Sequence, residues 1–170
     1  MSIIATAGTK STFEPAPPGL HQGVCVDVID MGMLEVTFSG TTKKQHKIRL
    51  AFQLNTDMDD GKPFLVQKRY TLSLHEKASL RKDLESWRGR PFTEEEGLGF
   101  DVETVIGANA QVNVQQIQRD GETYANIISL VPLAKGMKKM QARGYVRVKD
   151  RTDEAPNDHG EPLSLDDIPF

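Results

Sequence analysis

The chain has 170 residues, enough for one ordinary domain with tails. Its one cysteine, Cys25, excludes an intrachain disulfide, and the absence of a signal-peptide pattern and of any bilayer-length apolar run predicts a cytoplasmic protein without a membrane partner. The net charge of -3 conceals an asymmetry: residues 1–151 hold all 21 Lys and Arg against 18 acids, while residues 152–170 hold the other six acids and no Lys or Arg.

Residues 1–19, with Pro15, Pro17 and Pro18, read as a flexible arm. From Gly23, Val24, Val26 and Val28 alternate with Cys25, Asp27 and Ile29, as in a strand. Gly32 predicts a bend or bulge before a second run, Leu34–Phe38, and Ser39-Gly40-Thr41-Thr42 reads as a turn. In the next strand Ile48, Leu50, Phe52 and Leu54 share one face, with Lys47, Arg49, Ala51 and Gln53 on the other. After the polar loop Asn55–Pro63, Phe64–Leu74 repeats the pattern. Phe64, Val66, Tyr70, Leu72 and Leu74 oppose Leu65, Gln67, Arg69, Thr71 and Ser73, and Lys68 is the one charge on the apolar face.

Ser73-Leu-His-Glu76 has capping-box spacing and predicts a helix start. Leu80, Leu84 and Trp87 form its apolar stripe, and Gly89 and Pro91 end it. A loop containing Glu94-Glu95-Glu96 follows, then one short helical turn over Asp101–Ile106. Ala110–Gln118 and Glu122–Val131 flank Arg119-Asp120-Gly121, a strong hairpin signal. Beyond Pro132 come Lys135, Lys138, Lys139, Arg143, Arg147 and Lys149, with Tyr145 among them. Residues 152–170 have too few apolar groups to offset the cost of ordering.

Three strands, a helix between strands 3 and 4, and two closing strands form the plan of a mainly β protein: a five-stranded OB-fold barrel with disordered termini. Other small mixed β domains share this order. The expected organisation is an arm over 1–19, the barrel over 20–134, a basic extension over 135–151 and an acidic tail over 152–170.

The last five residues, Asp166-Asp167-Ile168-Pro169-Phe170, are identical to the C-terminal tip of bacterial single-stranded DNA-binding proteins. The resemblance implies a tip that docks on replication, recombination and repair proteins. Its physical logic stands alone: Phe170 fits an apolar pocket with its carboxylate at the rim, Pro169 limits the entropy lost on docking, and the two Asp steer toward a basic partner. The body looks like the divergent OB-type single-stranded DNA-binding proteins of bacteriophages. Lys47-Ile-Arg-Leu-Ala-Phe-Gln-Leu54 and Leu84-Glu-Ser-Trp-Arg-Gly-Arg-Pro-Phe-Thr93 carry that second resemblance.

Sequence-tolerant single-strand binders pair a basic groove with aromatic faces. Lys47, Arg49 and Gln53, with Gln67, Arg69 and Thr71 on the next strand, would form one outward surface, and an ordinary solvated sheet face would use the same residues. Phe52 and Trp87 belong to the core. Tyr70, with Lys68 on its face, stands between core and stacking, and Tyr124, Tyr145, Phe38 and Phe64 are further aromatic candidates. Lys138, Lys139, Arg143 and Tyr145 extend the DNA track, or lie at a subunit interface, or in a linker; Lys43 and Lys44 flank a turn.

The histidines are scattered, Cys25 has no CxxC partner, and no Walker loop or nucleophile elbow is present, so neither an enzyme nor a cofactor is expected. The expected function is sequence-tolerant binding and protection of single-stranded DNA in replication, recombination or repair, with the tip recruiting partner enzymes. A homo-oligomer would raise affinity by linking barrels. An adaptor that uses the tip without binding DNA, and an RNA-binding OB protein, are the alternatives.

Overall fold

The structure, a computed structural model, describes residues 14–151. Most of the predicted arm and the whole acidic tail, including the tip Asp166–Phe170, lie outside the described residues.

Five strands form one antiparallel sheet: β1 (Gly19–Phe38), β2 (Thr41–Asp57), β3 (Pro63–Thr71), β4 (Asn109–Arg119) and β5 (Glu122–Val131). Their order is β3-β2-β1-β4-β5. β1 is one strand rather than two runs, and it serves two neighbours. Its first residues, Gly19–Val24, pair with β4, and the stretch from Gly23 to Phe38 pairs with β2. Gly23 and Val24 belong to both ladders, and a Cβ at Gly23 would stand 2.9 Å from Val112 Cγ2. Only a residue without a side chain lets the strands crowd together there.

Two irregularities interrupt β1, between Cys25 and Asp27 and between Asp30 and Gly32. The second is the bulge expected at Gly32, which adopts φ 72°, accessible to glycine without strain. The first was not foreseen and has a larger effect. It breaks the valine alternation, so Val24 and Val26 pack in a small outer cluster while Cys25 and Val28 pack with the main core.

The main core follows the sequence pattern closely. Ile48, Leu50, Phe52 and Leu54 of β2 and Phe64, Val66 and Tyr70 of β3 are buried with Val112, Val114, Ile127 and Leu130 of β4 and β5. Helix α1 (Ser79–Arg88) lays Leu80, Leu84 and Trp87 onto this core. The rings of Phe52 and Trp87 meet edge-on, 5.3 Å between centroids, and Trp87 donates its indole N–H to the Asn109 carbonyl at 2.7 Å. α1 packs against both β5 and β3, the outermost strands of the hydrogen-bonded order, and those two strands also approach each other. Gly89 caps α1 at φ 75°, its N–H bound to the Glu85 carbonyl, as expected.

The helix start differs from expectation. Ser73-Leu-His-Glu76 does not open α1; the N-cap is Ala78, with no side-chain cap. The Ser73 hydroxyl accepts instead from the His75 N–H at 3.1 Å, a local turn that competes with helix. The capping box forms at Thr93, where a loop was expected. The Glu96 N–H donates to the Thr93 hydroxyl and the Thr93 N–H to the Glu96 carboxylate, opening α2 (Glu94–Leu98). The short turn expected over Asp101–Ile106 is a 3-10 turn at Val102–Val105.

Two of the three hairpin turns are two residues long with φ positive at each: Ser39 and Gly40 (51° and 78°), Asp120 and Gly121 (53° and 79°). This backbone matches the right-handed twist of the flanking strands. The arm expected through residue 19 is anchored on its described side. Ala16 is 2% exposed and its carbonyl accepts from the Gln116 amide at 2.9 Å. Among the described residues no helix is long and apolar enough to cross a membrane.

Candidate nucleic-acid interface

β2 runs without a bulge from Thr41 to Gln53, so its side chains alternate strictly. Thr41, Lys43, Gln45, Lys47, Arg49, Ala51 and Gln53 therefore share one side, the side away from the main core. Cross-strand partners lie on the same side as each other. Arg69 faces Arg49 and Thr71 faces Lys47 from β3, while Val36 faces Lys43 and Phe38 faces Thr41 from β1.

At one end of this outer side the β1–β2 hairpin projects beyond the rest of the sheet as a two-stranded ribbon. Phe38 is 81% exposed at its tip, and with Val36, Ser39, Thr41, Lys43 and Gln45 it lines a shallow concavity. Lys43 is exposed beside it. Lys44 is exposed too, but it faces Glu35 on the opposite side of the ribbon and does not join the same surface.

Next along the outer side is a cationic band of Lys47, Arg49 and Arg69. Lys47 donates to the Thr71 hydroxyl at 2.5 Å. Partial burial, with help from the Arg69 guanidinium, holds its ammonium below the usual lysine range. Arg49 is only 7% exposed, so its guanidinium is not the open contact the alternation promised.

The far half of the outer side is covered. The basic extension folds back across it as a strap rather than running on as a linker. Met140 and Tyr145 pack on Val24, Val26 and Ala51. Asn109 grips Met140 by both main-chain groups: the Met140 N–H donates to Asn109 Oδ1 at 2.8 Å, and Asn109 Nδ2 donates to the Met140 carbonyl at 3.0 Å. Gln53 does the same to Arg143, at 2.7 and 2.8 Å. Asp27, 1% exposed, accepts from the Tyr145 hydroxyl (2.9 Å), Arg147 Nε (3.0 Å) and the Val148 N–H (2.9 Å). Arg147 also reaches the Glu103 carboxylate at 2.8 Å, which holds Glu103 below the usual carboxylate range.

These contacts bear on four of the candidate residues. Gln53 is 5% exposed and committed to the strap, not to an outside ligand. Arg143 is held through its backbone, and its guanidinium pairs with Asp57. Tyr145 is a latch: its hydroxyl is spent on Asp27 and its ring lies 5.5 Å from the Arg151 guanidinium. Tyr70 is 1% exposed and cannot stack on a base. Its hydroxyl donates to Asp83 of α1 at 2.7 Å, and burial, with Asp83 adding to it, pushes the phenol far up. Lys68 shares that carboxylate at 2.7 Å, which explains a charge on the apolar face of β3: it meets a partner on the helix.

Lys138 and Lys139 remain exposed on the strap, as do Lys135 and Lys149. Asp27, Asn109 and Gln22, the last bonded to the Lys138 carbonyl, were not singled out in the sequence. Only Asp27 left a signal: an acid inside the run Val24–Ile29 must find donors if that run is buried. Tyr124 is half-buried beside Glu122, and Phe64 is core. Among the described residues no three His, Cys, Asp or Glu stand together as a metal site.

Comparison with known protein families and with curated proteins finds no match. The functional reading therefore rests on this geometry and on the sequence of the tail.

Proposed function

We propose that the protein binds single-stranded DNA without strong sequence preference, through the outer side of an OB-type barrel, and that Asp166–Phe170 recruit partner proteins of replication, recombination or repair. The observation that carries the reading is the placement of Phe38, Lys43, Lys47 and Arg69 on one side of the sheet. An aromatic face for bases next to ammonium and guanidinium groups for phosphates is what a sequence-tolerant strand binder requires. A phenylalanine exposed at a ribbon tip contributes nothing to the core and invites a planar apolar partner. The OB assignment is supported by the strand order, by the approach of β3 to β5, and by α1 packing on both.

Titration of a fluorescent oligo-dT at 50 and 200 mM salt tests this. Affinity should fall steeply between the two, since each phosphate contact on a single strand contributes roughly 0.7 to the log–log salt slope. A matched oligo-U strand reports on RNA preference. Deleting residues 152–170 should leave DNA affinity unchanged or tighter while capture of partner enzymes is lost. No binding of oligo-dT at low ionic strength would overturn the reading.

A further inference from the structure

The strap is the least expected feature of the outer side, and its chemistry is divided between two faces. Its main chain is read by the sheet. Asn109 and Gln53 each offer one amide N–H and one amide oxygen to a single residue, as a neighbouring β-strand would. Asp27 then takes three donors at the far end. Side chains thus stand in for a sixth strand, and the segment from Met140 to Val148 is held without a backbone ladder. Met140 and Tyr145 turn down onto the small apolar cluster. Lys138, Lys139 and Lys149 are left facing solvent.

We infer that this strap, rather than the sheet face beneath it, is the polyanion contact on that half of the protein, with Asn109, Gln53 and Asp27 as positioning residues. The inference rests on the single-stranded DNA reading above and adds the route of the strand: along Lys138, Lys139 and Lys149, past Lys47 and Arg69, to Phe38 on the ribbon. The face under the strap suits a peptide better than a nucleic acid. Its one charged group in contact with the strap's latch, Asp27, is an anion that would repel phosphate, and its amides are already matched to a main chain. The pinned strap presents these lysines on a main chain already held, so less backbone entropy is lost when a strand docks.

The full-length K138Q/K139Q/K149Q variant tests the route by oligo-dT titration across a salt series. Three lost phosphate contacts should lower the log–log slope by about 2, with affinity at low salt falling roughly 10- to 100-fold. Wild-type slope and affinity in the triple variant would overturn the inference and leave the single-stranded DNA reading standing; failure of the wild-type protein to bind oligo-dT would instead remove the reading itself. Limited trypsin digestion gives an independent readout. Bound oligo-dT should slow cleavage after Lys138, Lys139 and Lys149. Unchanged or faster cleavage would mean that DNA ignores or lifts the strap, and the inference fails.

Discussion

The side-chain amide of Gln53 holds the main chain of Arg143 by both of its hydrogen bonds, across 90 positions of sequence. Together with Asn109 and Asp27, this glutamine sets where the basic extension goes. It converts a surface that alternation marked as open into a covered one.

Asp27 is the deepest of the three anchors, and its loss should be felt in stability. Replacing it by Ala leaves the Tyr145 hydroxyl and the Val148 N–H without their acceptor, at a cost of about 2–4 kcal/mol. Urea denaturation measures this, and D27N, which keeps one acceptor oxygen, should lose less. A loss below about 0.5 kcal/mol for D27A would show that the strap is not coupled to the fold.

Phe38 should behave in the opposite manner. It touches no core, so F38A should change stability by less than about 0.5 kcal/mol. If a base stacks on it, oligo-dT affinity should drop by about 5- to 100-fold, the effect of losing one stacking contact. A wild-type binding curve for F38A would take the ribbon tip out of the interface.

The capping box at α2 gives a pH signature. A hydrogen bond from Arg88, then the Thr93 N–H, hold Glu96 down at about 2, from an ordinary value of 4.5. The depressed value means that the folded state favours the carboxylate. Its contribution is complete above pH 4.5 and is lost as pH falls from 4.5 toward 2. In that window E96Q should show a shallower decline of Tm with acid than the wild type. Parallel declines would indicate that the Arg88–Glu96 pair contributes nothing.

Cys25 should be chemically silent. Burial, partly offset by a backbone hydrogen bond at Asp27, pushes the thiol up to about 12. It therefore stays protonated at neutral pH, and reagents cannot reach it. Alkylation of the native protein should run at least about 100-fold slower than in denaturant. Comparable rates would show that β1 opens readily at its first bulge.

The sequence by itself determined strands β2 to β5, two of the hairpin turns and most of the main core. A period of two in Lys47–Leu54, the Asp120-Gly121 pair and the stripe Leu80, Leu84, Trp87 are local patterns, and each has one physically sensible outcome. It also held the whole of the tail's motif. It could not say that Ser73 would prefer a local turn to a helix cap, because both use the same hydroxyl.

What only the tertiary structure decided was which outward residues stay outward. Alternation sorts side chains to the two sides of a sheet, but it cannot tell water from a returning segment of the same chain. Gln53 and Phe38 lie on the same side, and one is buried while the other is 81% exposed. The difference is set by Asp27, Asn109 and Gln53 meeting residues 140–148, contacts between positions far apart in sequence that leave no local period. Tyr70 and Lys68 follow the same rule: their roles depend on Asp83, which arrives with the helix.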